Sequence, residues 1–291
     1  MEASDTADRG ERTRGAALLP RVLVGAAGIP ILAFVAIRGG VFLLILVDLL
    51  IVLGLWEFYR LLAAKGVRPH MLLGIGGGLL LSWQIYFGWP VGVRALLTAL
   101  LLAVMVGAVL RRKSGGAIAG MAGTLLGVLY VGLLSSYFFL LRDLPGQAGG
   151  RPQDGGWVLL TVLIITWVYD TGAYGVGLLW GKHPLMPRIS PRKSIEGAAG
   201  GLFWAMLAAL LLSRLFFTEL LSLRDFLVIA LIAGLIGPLG DLTESLIKRD
   251  AEAKDTSGIL PGHGGVLDRF DSLLFIVPAV YWYLRYAAYM N

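Results

Sequence analysis

The stretch Leu96-Leu-Thr-Ala-Leu-Leu-Leu-Ala-Val-Met-Val-Gly-Ala-Val-Leu110 carries no charge at all, and blocks like it decide the fold. A hydrocarbon core of about 30 Å takes about 20 apolar helical residues to cross. Working outward from this block, similar ones recur along the chain, as at Val41–Val47. Counting them predicts nine spans, at roughly 20–38, 40–59, 71–89, 93–110, 117–141, 157–180, 197–217, 225–247 and 268–289. The blocks are continuous rather than alternating, which argues against a β-barrel. The expected architecture is an all-α polytopic membrane protein with a single transmembrane catalytic domain over 20–291. Residues 1–19 are polar and charged and read as a disordered cytoplasmic tail, not a cleavable signal.

Composition agrees. Of 291 residues, 57% are hydrophobic and 15% charged, against about 45–50% and about 25% in soluble domains. This excludes a water-soluble enzyme and a disordered chain. The formal net charge of +6 would otherwise point to nucleic acid, but the cations sit in short loops between spans and report topology instead. With the N-terminus inside, 18 Lys and Arg fall on the inner side and 7 on the outer. That split puts the N-terminus and the loops at 60–70, 111–116, 181–196 and 248–269 in the cytoplasm. There is no Cys, so neither a disulfide nor a thiolate metal site can form. Three His are too few for a histidine cage.

Acidic residues within apolar spans carry the chemistry. A carboxylate at mid-bilayer costs about 2.5–3.5 kcal/mol on insertion scales, so each one needs a reason. Glu57, beside Trp56 and Tyr59, reads as an interfacial residue in an aromatic belt. Asp48 lies deeper and reads as a helix–helix hydrogen bond. Asp170 and Tyr174, at i and i+4, share a helical face, and a structural pairing and a site role stand level for them.

The eighth span is expected to break or kink at Gly237-Pro-Leu-Gly240. Asp241, Glu244, Ser245 and Lys248 follow at spacing 0, 3, 4 and 7, on one helical face. Asp268, Asp271 and Ser272 repeat the 0, 3, 4 pattern where the ninth span begins. If the intervening loop folds back, two acidic faces meet. Oxygen donors without Cys and with few His make a hard-cation site, Mg²⁺ rather than Zn²⁺. The loop supplies Lys248, Arg249 and Lys254, then Pro261-Gly-His-Gly-Gly265. Gly264 and Gly265 let backbone N–H groups approach an anion. His263 has a role in reach of phosphate or carboxylate, although a lone loop His more often has neither. Carboxylates for a metal plus cations and glycines for phosphate describe a nucleotide-phosphate site.

A second loop, Gly181–Gly197, packs four cations, two Ser and three Pro into 17 residues. Ser190, Arg192, Lys193 and Ser194 suit phosphate oxygens, and Ser194 is placed to cap the next helix. An ordinary positive-inside loop is the competing reading.

The run Ser245-Leu-Ile-Lys-Arg-Asp-Ala-Glu-Ala-Lys-Asp-Thr-Ser-Gly-Ile-Leu-Pro-Gly-His-Gly-Gly-Val-Leu-Asp-Arg-Phe-Asp271 resembles the signature of the phosphatidate cytidylyltransferases, or CDP-diacylglycerol synthases. Asp170-Thr-Gly-Ala-Tyr174 and Ile189-Ser-Pro-Arg-Lys-Ser-Ile-Glu-Gly197 resemble that family's other hallmarks, with Ser194 where Thr is common. The resemblance covers about residues 20–289. It implies transfer of CMP from CTP to phosphatidate with Mg²⁺, and a second, monovalent cation. It also implies a homodimer in the bacterial inner membrane, among membrane lipids and without nucleic acid. It places Asp241 and Asp268 on the family's metal-binding acids, with Asp255 and Asp271 as further ligands. Lys248, Arg249, His263, Lys254 and Arg269 become expected site residues, with Asp170, Tyr174, Glu244 and Ser245 as additional candidates.

Two other classes compete. A secondary transporter also explains intramembrane acids beside a broken helix, but it calls for a matching half that the sequence lacks. A CTP-dependent lipid-alcohol kinase would move the γ-phosphate instead.

Overall fold

The computed structural model describes residues 28–111, 115–215, 221–259 and 264–288. The tail at 1–19, the start of the first span and His263 lie outside the described residues. Every apolar block from Gly28 onward is helical: α1 (described over Gly28–Arg38), α2 (Gly40–Ala64), α3 (Met71–Phe87), α4 (Gly92–Val109), α5 (Ala117–Gly127), α6 (Leu134–Gln147), α7 (Asp154–Trp180), α8 (Ile195–Leu215), α9 (Leu223–Asp250) and α10 (Leu267–Tyr283). A π-helical segment, Val128–Leu133, joins α5 to α6 in one apolar helix of 31 residues. A second one, Leu284–Ala288, follows α10.

The protein is therefore an all-α polytopic membrane protein. Among the described residues, six helices are long and apolar enough to span a bilayer on length and composition, and Gly28–Arg38 and Met71–Phe87 are shorter apolar helices. α10 has 17 residues and carries Asp268, Arg269 and Asp271 in its first turns.

Two departures from the sequence reading matter. The loop at 181–197 is not wholly irregular: β1 (Pro184–Met186) pairs antiparallel with β2 (Ser190–Ser194), Pro184 opposite Ser194. The expected break in the eighth span is absent, since α9 runs as one helix of 28 residues with Pro238 inside it. Its start is fixed by a capping box, in which Ser222 N–H donates to Asp225 Oδ2 at 2.8 Å and Asp225 N–H donates back to the Ser222 hydroxyl. The glycines around Pro238 serve contact. A methyl group on Gly237 would sit 2.9 Å from Ile276 Cδ1, and one on Gly240 would sit 2.6 Å from the Asp271 carbonyl oxygen. Small residues at i and i+3 thus let α9 and α10 lie close together.

The densest packing joins α7 to α8, α8 to α9 and α9 to α10. Their core includes Ile165, Phe226, Ile229, Leu274 and Val277, all fully buried. At the other extreme, Val104 is the buried residue of α4, as hydrocarbon can cover an apolar helix that its neighbours α3 and α5 cover only in part. Asp48 meets its expectation, because Trp83 Nε1–H on α3 donates to Asp48 Oδ2 at 2.9 Å.

Candidate active site

α9 descends from its apolar half into a polar face, and α10 begins beside that face. The loop between them folds back, the condition on which the two acidic faces meet. Carboxylate oxygens of Asp241, Glu244 and Asp271 all lie within 4.8 Å of one another. Glu244 and Asp271 are buried and Asp241 is half-buried. Asp268 stands next to them. Lys248 Nζ lies 2.5 Å from Glu244 Oε2 and 2.5 Å from Asp268 Oδ1, bridging the two helices. Lys193, at the end of β2, pairs with Asp241 Oδ2 and so brings the hairpin onto α9. Four carboxylates thus face two lysines within the cluster. Among the described residues Glu244 Oε1 is buried with no hydrogen-bond donor, and the Asp268 carboxyl lies within hydrogen-bond reach of Glu244. An uncompensated buried carboxylate oxygen is costly, and an all-oxygen set with surplus negative charge fits a hard divalent cation.

Asp268 also holds the loop. Its Oδ2 accepts from Gly265 N–H at 2.7 Å and Thr256 N–H at 3.0 Å, with the Thr256 hydroxyl at 2.7 Å. Its oxygens therefore hold the loop and Lys248, while Glu244, expected only as an additional candidate, joins Asp241 and Asp271. Asp255 is exposed and lies outside the three-carboxylate cluster. Ser245 is buried, its hydroxyl 3.4 Å from Asp241 Oδ1.

In the hairpin one expectation is met by a contact, the cap of α8. Ser194 Oγ accepts from Gly197 N–H at 3.1 Å and caps α8. Glu196, which the sequence did not single out, closes the hairpin's base: its Oε2 accepts from Lys182 N–H at 3.1 Å and His183 N–H at 3.2 Å, and its Oε1 lies 2.5 Å from His183 Nδ1. Ser190 is half-buried, whereas Arg192 is exposed. Arg249 and Lys254 are also exposed, and Arg249 donates to the Ala253 carbonyl at 3.1 Å. Gly264 has a positive φ of 78°. Arg269 is exposed on α10. Asp170 is exposed on α7, in electrostatic reach of Asp241, Lys193 and Arg269, and Tyr174 is exposed one turn on. Sequence reasoning missed Tyr130. It comes from the π-helical segment, its buried hydroxyl has no hydrogen-bond partner among the described residues, and it lies within electrostatic reach of all four carboxylates. Such segments often lie at functional sites, but an apolar sequence gives no sign of one.

Glu57 needs a correction. It is fully buried, and its two oxygens take four hydrogen-bond contacts from the loop before α10 and from the start of α10 itself. The signal available in the sequence was its charge within an apolar span, which the neighbouring aromatics disguised.

Fold and site together define a polytopic membrane protein with an ionic centre built where two helices meet a folded-back loop. Residues 19–287 match the Cytidylyltransferase family, and the chain belongs to that family of nucleotidyltransferase enzymes. It is 33% identical over 260 residues to a phosphatidate cytidylyltransferase of Staphylococcus aureus strain COL, covering 89% of this chain and 95% of the relative. It is also 34% identical over 277 residues to a phosphatidate cytidylyltransferase of Bacillus subtilis strain 168, covering 91% and 96%.

Proposed function

We propose that this protein transfers CMP from CTP to phosphatidate, releasing pyrophosphate and forming CDP-diacylglycerol for phospholipid synthesis. The observation that carries the reading is the convergence of Asp241, Glu244 and Asp271 beside two lysines, in a chain of the cytidylyltransferase family. The names of its relatives supply the lipid substrate.

The phosphatidate phosphate attacks the α-phosphorus of CTP in line. One P–O bond forms and the bond to the β-phosphate oxygen breaks, so pyrophosphate leaves with the electron pair. The nucleophile is already an anion, so no strong base is required. The difficulty lies in bringing anions together and stabilising the charge that develops. Asp241, Glu244 and Asp271 would hold Mg²⁺, which when bound supplies positive charge to the phosphates. Arg192, Arg249 and Lys254, all exposed, would meet the triphosphate from water. Lys193 and Lys248 keep the carboxylates from repelling one another apart. Lys65 on the 65–70 loop lies 2.5 Å from Asp250 at the end of α9, so these polar loops share one end of the molecule. The excess of cations at that end supports a cytoplasmic orientation, where CTP is found, with the lipid entering sideways from the bilayer.

The test is transfer of label from α-phosphorus-labelled CTP into organic-extractable lipid by the purified protein. Label that requires both phosphatidate and Mg²⁺ is the expected result. No label from verified, folded protein overturns the reading, and label from the γ-position alone would mark a lipid kinase.

A further inference from the structure

We propose that Glu57 is a positioning residue that fixes the start of α10, and with it Asp268 and Asp271, against α9. The inference rests on the cytidylyl-transfer reading of the site. Glu57 belongs to α2, and no residue of α2 is in the carboxylate cluster. Its contacts are nonetheless specific. Oε1 accepts from the Ser257 hydroxyl at 2.5 Å and from Val266 N–H at 2.9 Å. Oε2 accepts from Leu267 N–H at 2.8 Å and lies 3.0 Å from the Thr256 hydroxyl.

Val266 is the N-cap of α10, and its own side chain makes no capping bond. A helix start leaves backbone N–H groups without partners, and a carboxylate there is favoured by the helix dipole. Glu57 is thus a cap delivered from another helix. Room is made for it by Gly265, where a Cβ would fall 2.5 Å from Glu57 Oε1 and 2.6 Å from Oε2. The Thr256 hydroxyl lies between Glu57 Oε2 at 3.0 Å and Asp268 Oδ2 at 2.7 Å. It has one proton to give, so it couples the two carboxylates directly. A helix turns about 100° per residue. Freedom at its first turn therefore swings Asp268 at once, and Asp271 one turn later.

The chemistry of the contacts selects the variant. Each oxygen of Glu57 faces a backbone N–H, which can only donate. Glu57→Gln keeps the shape, but either orientation of the amide aims its NH₂ at Val266 or Leu267 N–H. One charge-assisted bond is lost and one donor is left buried. With purified full-length protein in detergent, kcat is expected to fall about 10- to 100-fold, with KM for CTP changed less than about threefold. Hydrogen exchange at Val266 and Leu267 should quicken by about tenfold or more, while α7 and α8 keep their protection. A kcat within about twofold of wild type, or unchanged exchange at 266–267, overturns the proposal. Should Glu57→Gln fail to fold, Thr256→Val removes the coupling hydroxyl at equal volume. It should lower kcat severalfold without raising KM, and an unchanged kcat again refutes the idea. Wild-type protein that transfers no cytidylyl group refutes the activity but not the cap, which the exchange measurement then decides alone.

Discussion

Lys248→Met tests the energetics of the site most directly. The Lys248 side chain is 12% exposed, and its partners Glu244 and Asp268 are 1% and 7% exposed. One ammonium therefore neutralises two buried carboxylates on two helices. Removing one partner of a buried ion pair costs about 3–5 kcal/mol, mostly through the charge left behind. Here one deletion strands two charges, so the upper end of that range is expected. The molecule contains its own control. Lys65 and Asp250 form a pair at the same short distance with side chains 38% and 62% exposed. Such a pair contributes about 0–1 kcal/mol, so geometry is matched and burial alone differs. At about 2–4 °C per kcal/mol for chains near this size, Lys248→Met should lower the melting temperature by roughly 10 °C or more. Lys65→Met should lower it by no more than a few degrees. Both would be melted as full-length protein in one detergent with chelator present, so that no divalent cation takes the lysine's place. The double variant Lys248→Met/Asp268→Asn should recover part of the loss, because one stranded charge is gone. Equal shifts for Lys248→Met and Lys65→Met would refute the reasoning, by showing that water reaches the bridge.

Two further outcomes follow from particular contacts. Gly240→Ala places a methyl group 2.6 Å from the Asp271 carbonyl oxygen, which should cost about 1–3 kcal/mol and reduce turnover as α10 is displaced. Gly76→Ala, where nothing lies within 4 Å, should leave both melting temperature and turnover intact; equal harm from both would count against close α9–α10 contact. His70 gives a pH dependence. Burial and the nearby Arg111 guanidinium hold its imidazole below the ordinary value of 6.5, so the unfolded chain takes up the proton first as pH falls. Stability should therefore decline from about pH 6.5 downward until His70 itself protonates in the folded protein. His70→Gln should flatten that part of the curve, and identical melting profiles between about pH 7.5 and 5.5 would remove His70 as a cause.

Much of this was legible in the residues themselves. Uncharged blocks marked the helices because a bilayer admits few alternatives. The spacing of Asp241, Glu244 and Lys248 placed them on one face because a helical period is fixed. Asp271 joined them because the loop folded back. Contacts between distant elements were less legible. The division of labour between Glu244 and Asp268 depends on which carboxylate meets Lys248 from which side, and no spacing encodes that. Glu57 looked interfacial because Trp56 and Tyr59 flank it, and its partners lie 209 and 210 residues away. Pro238 between two glycines looked like a break, yet the helix runs through it in close contact with α10.

That long separation between Glu57 and its partners has a consequence for biogenesis. Translation delivers α2 early and α10 late. Until Thr256, Ser257, Val266 and Leu267 arrive, an ionised Glu57 has none of its four donors, and a carboxylate buried without them is costly. The nascent second helix is therefore better placed with Glu57 facing water, or protonated, than buried as it is in the finished fold. Docking of the last helix then settles both at once: α10 gains its cap, and α2 gains the donors that let its charge stay buried. Assembly of the site and completion of the membrane fold become a single late event.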